Sequence, residues 1–273
     1  GTSAGRRMAA RMVSRIKRLD AVRPITAAMN GGHFAEENAA QVVDVAGFNY
    51  SMHAFDEYHS KYPDQPVIST ESNSSFQTRG VYASDPEKHY LSSYDDEKPL
   101  WGDYARDAFK MINERPWMSG YFIWTGFDYR GEPTPFEWPS IHSSFGIMDT
   151  CGFAKDSFYL HKAFFCKKPV VHIVPSHWNF ATGDIIKVMT HTNCSECELI
   201  LNGTSLGKKA VPFYRQTEWT VKHEPGLLEM IGYIDDAEVK RDSVRTAGDP
   251  DSLVLEVSKD NLFADGKDCV VVN

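Results

Sequence analysis

The sequence predicts a multidomain chain: α/β over residues 1–166, as half of a TIM (β/α)8 barrel, then all-β, as an immunoglobulin-like β-sandwich. Three observations carry this. Four short apolar runs alternate with helical segments before Pro169, the rhythm of parallel strands joined by right-handed crossovers. The longest polar stretches follow the C-terminal ends of those runs, where a barrel places its chemistry. After Pro169, short alternating runs recur with turn signals at roughly ten-residue spacing, as in a sandwich.

The elements follow in order. Met8, Ala9, Met12, Val13 and Ile16 recur at helical spacing between arginines and lysines, which predicts a helix over Ser3 to Leu19 with Ser3 as its N-cap. Pro24 to Met29 reads as a strand, Glu36 to Val43 as a short helix and Val45 to Tyr50 as a second strand. Phe55 to Tyr62 is helical, and Pro66 to Thr70 is the third strand. A polar loop runs from Glu71 to about Pro99. Tyr104 to Asn113 is a helix, Gly120 to Trp124 the fourth strand, and Phe158 to Phe165 a last helix after another long loop. A doubly wound sheet competes with the barrel, but it would usually show a glycine-rich phosphate loop, and the sequence has none.

The sandwich module spans 167–247. Its strands include Ile185 to Thr190, Cys197 to Asn202, Thr217 to Lys222, Leu227 to Ile234 and Ala237 to Arg245, with Asn202-Gly203 as a hairpin turn. Residues 248–273 read as the start of a further sandwich, from Leu253-Val-Leu-Glu-Val257.

Composition narrows the function. Hydrophobic residues make up 42% and charged residues 24% of 273, the balance of an ordinary globular chain. A net charge of −8 argues against nucleic acid or an anionic membrane as partner. No apolar run reaches the ~18 residues of a membrane span. Five scattered cysteines give no disulfide framework. His191, Cys194 and Cys197 offer one metal knuckle where zinc usually needs two, so neither metal nor cofactor is expected. Both termini read as cut.

Several side chains stand where barrel chemistry would sit. Glu71 ends the third strand, and a carboxylate there points into a barrel mouth. The same position suits a structural salt bridge equally well. Asn49 and Tyr50 end the second strand, with His53 just beyond. Trp124 ends the fourth, followed by Asp128. An indole suits a sugar ring and a carboxylate its hydroxyls; a core ring and a loop cap are the plain alternatives. His142 and Asp149 are weaker candidates, and Glu36 and Glu37 fit a helix's first turn.

Read together, Asn49-Tyr50, Thr70-Glu71 and Gly120-Tyr-Phe-Ile-Trp-Thr-Gly-Phe-Asp-Tyr129 resemble the C-terminal half of the catalytic barrel of glycoside hydrolase family 2. The flanks agree: Arg23-Pro24 with Ala28-Met29-Asn30, Phe145-Gly-Ile-Met-Asp149, and Cys197 to Gly207 in the following module. The resemblance implies a retaining exo-β-glycosidase of the β-galactosidase type, with strands five to eight in 1–166. It implies Glu71 as nucleophile, Tyr50 as its support and Trp124 and Asp128 at the sugar, with Asn49 and His53 lining the same pocket. The family's acid/base glutamate follows Gly-Asn, a motif this chain lacks; it is expected before Gly1. The expected partners are a β-galactoside or related oligosaccharide and the N-terminal half of the same enzyme. A homo-oligomer, a β-glucuronidase or β-mannosidase specificity and a non-catalytic carbohydrate-binding role stay open. The compartment is undetermined, leaning to periplasmic or secreted.

Overall fold

The computed structural model describes residues 1–272. Helix α1 (Ser3–Lys17) opens the chain, capped by Thr2, whose hydroxyl accepts from the Gly5 N–H at 3.1 Å. Ser3, the expected cap, already lies inside the helix, so the signal was displaced by one residue. Four strands follow: β1 (Thr26–Met29), β2 (Val45–Asn49), β3 (Val67–Glu71) and β4 (Met118–Tyr121). They form one parallel sheet in chain order β1-β2-β3-β4.

Helix α2 (Phe55–Lys61) joins β2 to β3, and α3 (Ala105–Asn113) precedes β4. Between β1 and β2 only a 3-10 turn forms, over Ala39–Val42, where a helix over 36–43 was expected. Asn38 explains the late start: its side-chain amide donates to the carbonyls of His33 and Ala35 at 3.0 and 2.9 Å, holding the preceding residues in a loop. Phe48, Phe55, Tyr58, Val67 and Ala108 are buried together beneath the sheet. Gly47 lets β1 approach β2, because a Cβ there would stand 2.3 Å from the Ala27 carbonyl oxygen.

Strand β4 ends earlier than the apolar run suggested. Its pairing runs Val67↔Met118 and Ser69↔Tyr121, and Trp124 lies beyond it, its N–H donating to the Asn73 carbonyl at 3.1 Å. The run 120–124 is apolar because its second half packs against loop residues rather than a strand; Trp124 rests on the Phe76, Leu91 and Phe145 cluster.

Helix α4 (Asp156–Phe165) leads to seven antiparallel strands in two sheets. One has the order β5-β6-β9, with β5 (Val171–Val174), β6 (Ile185–Thr192) and β9 (Thr217–Lys222). The other has the order β11-β10-β7-β8, with β7 (Glu196–Leu201), β8 (Thr204–Ala210), β10 (Leu227–Ile234) and β11 (Ala237–Arg245). Alternate residues of both sheets meet in one core: Ile173, Val188, Trp219 and Val221 from the first, Leu199, Leu228 and Met230 from the second. The period-two burial of β9 shows the cause, with Thr217, Trp219 and Val221 inward and their neighbours outward.

Residues 248–272 cover the stretch that the sequence predicts as the start of a further sandwich. They hold one isolated bridge, Val257 to Val272, and no strand. Leu253, Val254 and Leu255 are exposed; alternation needs a partner sheet to become a strand.

Polar side chains tie the two portions. Tyr82 donates to Asp156 at 2.8 Å, Asp156 also bonds His172 at 2.6 Å, and Tyr94 donates to the Lys187 carbonyl at 2.6 Å. Arg106 bridges Asp95 at 2.7 Å and His191 at 3.0 Å. His191 therefore serves this junction, while Cys194 and Cys197 are buried in the sheet core, where burial pushes the Cys197 thiol up to about 12.

Candidate active site

The parallel register explains the site. Asn49 and Glu71, the last residues of β2 and β3, are direct partners. Adjacent strands lie about 4.8 Å apart, so the Asn49 amide reaches Glu71 Oε1 at 2.8 Å. Thr70 Oγ1 donates to Asn49 Oδ1 at 2.6 Å, which fixes the amide's orientation. The Tyr50 N–H donates to the Glu71 carbonyl oxygen. Glu71 is thus held from backbone and side chain on two rigid strands.

Tyr50 and Ser51 both adopt left-handed backbone, φ +55° and +51°. That is uncommon for side chains beyond the β-carbon and concentrates at functional turns. The chain leaves β2 sharply, and the Tyr50 ring is buried. Burial pushes its phenol up to about 12, and the nearby Glu71 charge adds to the rise. Tyr50 therefore keeps its proton at neutral pH and can donate it in a hydrogen bond.

Tyr50, Glu71 and Trp124 line one cavity of about 380 Å³ with Asn30, Trp101, Glu132, Thr134 and Phe145. The Trp124 indole N–H donates to the Tyr129 hydroxyl at 3.0 Å, and that hydroxyl donates to Glu132. The two rings meet edge to face at 5.9 Å. Trp101 meets Phe145 likewise at 5.9 Å.

Other candidates lie outside this wall. Asp128 is half-buried, accepting from Lys155 Nζ and the Gly146 N–H, each at 2.8 Å. It borders a neighbouring cavity with Arg130 and His142. His53 is exposed, in the 3-10 turn Met52–Ala54. Asp149 accepts from the N–H groups of Cys151 and Phe153, each at 2.9 Å, and pairs with Arg79 at 2.7 Å.

Sequence reasoning missed Asn30, Trp101, Glu132, Thr134 and Phe145 as wall residues. Asn30 follows directly on β1, so the strand-end rule that selected Glu71 would have found it. The others sit in long loops whose return to the strand ends leaves no local pattern. Among the described residues no group of three or more His, Cys, Asp or Glu is placed to hold a metal ion. Among them no helix is long and apolar enough to cross a membrane.

Comparison with known proteins adds family context. Residues 183–240 match a model described as a domain of unknown function, DUF4982. The chain is 36% identical over 284 residues to the β-galactosidase BoGH2A of Bacteroides ovatus, covering 96% of this chain and 33% of that protein. It is 30% identical over 269 residues to a putative β-glucuronidase of Formosa agariphila, covering 82% and 26%. Its fold matches a β-glycosidase from Bacteroides vulgatus with a TM-score of 0.84 at 29% identity, over 100% of this chain and 38% of that one. A glycosyl hydrolase family 2 member from Bacteroides cellulosilyticus matches with a TM-score of 0.78 at 26% identity, over 99% and 35%. The chain thus spans about a third of the length of these proteins.

Proposed function

We propose, starting from the chain's membership of glycoside hydrolase family 2, that Glu71 is the nucleophile of a retaining exo-β-glycosidase acting on β-galactosides. The observation that carries this is the Asn49–Glu71 pair at the strand ends, opening with Tyr50 and Trp124 on one cavity. In this reading residues 1–166 contribute four strands of an eight-stranded catalytic barrel. Residues 167–247 form an immunoglobulin-like module, and 248–273 lead toward a further one.

The reaction is a double displacement. A Glu71 carboxylate oxygen attacks the anomeric carbon as the bond to the leaving oxygen breaks, and an acid protonates that oxygen. Water then attacks the glycosyl ester; the same acid, now a base, takes its proton, and Glu71 leaves as carboxylate. Asn49 and Tyr50 hold the nucleophile by hydrogen bonds to its charge. Trp124 carries an apolar face of the sugar. Asp128 positions the Trp124 loop through its bonds to Lys155 and the Gly146 N–H. The acid/base is assigned to sequence outside these 273 residues, so the chain by itself is expected to turn over little.

The preference for β-galactosides rests on the β-galactosidase relative. β-Glucuronidase action is the second reading, favoured by the names of other relatives. Glu71→Gln in the whole enzyme tests the assignment. It should lower kcat/KM for 4-nitrophenyl β-galactoside by about 10⁴-fold or more with unchanged thermal unfolding. Retention of a tenth of the rate would reject it.

A further inference from the structure

The Glu71 cavity contains a second carboxylate that the double displacement does not use. Glu132 lies in the loop after Tyr129, with left-handed backbone at φ +49°, and borders the same cavity. Its carboxylate accepts from the Tyr129 hydroxyl, which in turn accepts from the Trp124 indole N–H at 3.0 Å. One phenol therefore links this carboxylate to the ring assigned to the sugar.

No lysine, arginine or histidine is among the residues bordering the cavity. Of the arginines in the surrounding loops, Arg79 pairs with Asp149 at 2.7 Å, and Arg130 borders the neighbouring cavity rather than this one. Two negative charges thus face a volume of about 380 Å³ with no cation on its described wall.

Resting on the assignment of Glu71, we propose that Glu132 is a specificity-determining residue that rejects sugars bearing a ring carboxylate and admits neutral ones. Two effects act in the same direction. A sugar hydroxyl can donate to Glu132, whereas a sugar carboxylate has no proton to donate. A sugar carboxylate would also lie beside two carboxylates of the same sign, and like charges repel.

The test compares galactose with galacturonate, which differ only in oxidation at C6, as competitive inhibitors of the whole enzyme. The wild-type Ki for galacturonate should exceed that for galactose by at least about 10-fold, equivalent to about 1.4 kcal/mol. Glu132→Gln should reduce that ratio by about 10-fold, and Glu132→Ala serves the same comparison if the glutamine variant does not fold. A ratio that changes less than about threefold overturns the proposal, and the Glu71→Gln result then shows separately whether the nucleophile assignment stands. Should Glu132→Gln instead abolish turnover of 4-nitrophenyl β-galactoside, with recovery on a 2,4-dinitrophenyl glycoside that needs less acid help, Glu132 is the proton donor and the specificity role is wrong.

Discussion

Replacing Lys155 by Met tests the packing behind the site. The Lys155 side chain is 0% exposed and that of Asp128 8%. Its ammonium donates to Asp128 Oδ1 at 2.8 Å, to the Gln77 carbonyl at 2.7 Å and to the Ser144 carbonyl at 3.3 Å, so three donors meet three acceptors. Burial lowers the Lys155 pKa and raises that of Asp128, and their mutual attraction opposes both shifts. Methionine keeps the length of the side chain but leaves a buried carboxylate and two carbonyls without this donor. Breaking a buried pair from one side costs about 3–5 kcal/mol. With a urea slope of about 2 kcal/mol/M, the midpoint should fall by roughly 2 M. Urea unfolding of Lys155→Met, Asp128→Asn and the double variant gives the coupling directly. The double variant should lose much less than the sum of the two single losses. A Lys155→Met loss under about 1 kcal/mol, or strict additivity, would refute the reasoning.

Two further outcomes follow from the same geometry. Tyr50→Phe removes one hydrogen-bond donor from beside a carboxylate, so kcat should fall about 10- to 100-fold in steady-state kinetics of the whole enzyme, with little change in melting temperature. His161 is buried and donates from Nδ1 to the Ser157 carbonyl at 2.7 Å, and burial depresses its pKa from 6.5 to about 4. The unfolded chain therefore takes up the proton first on acidification. This contribution is fully present above pH 6.5 and is lost progressively down to pH 4, on the order of 3 kcal/mol. Asp95, pushed up to about 6 by burial, acts in the opposite sense. The difference between wild type and His161→Gln in urea midpoint against pH isolates the histidine, and identical slopes would contradict the assignment.

Much of this architecture was legible in the residues, for identifiable reasons. Strand β2 could be read from Val45 to Phe48 because a sheet covered by helices needs small and apolar side chains there. The place of Glu71 at the end of β3 could be read because it directly follows the run Val67 to Thr70, although the position alone suits a structural salt bridge equally well. The boundaries of β4 could not. Trp124 is apolar for the sake of Phe145 and Leu91, and loop packing writes the same letters as a strand. Asp128, just beyond the strand-end Trp124, read equally as a sugar ligand or a loop cap. Its partner is Lys155, 27 residues away, and a contact at that range has no local signature. Glu132 was illegible for the same reason, since only the return of its loop brings it to the strand ends.

The account turns on which atom bonds the sugar. Incubating the whole enzyme with a 2-deoxy-2-fluoro-β-galactoside bearing a good leaving group slows the second displacement and leaves the glycosyl ester in place. Proteolysis and mass spectrometry should then find the fluorosugar on the peptide holding Glu71, at that residue. A label on Glu132, on another carboxylate, or no covalent adduct despite inactivation would contradict the account.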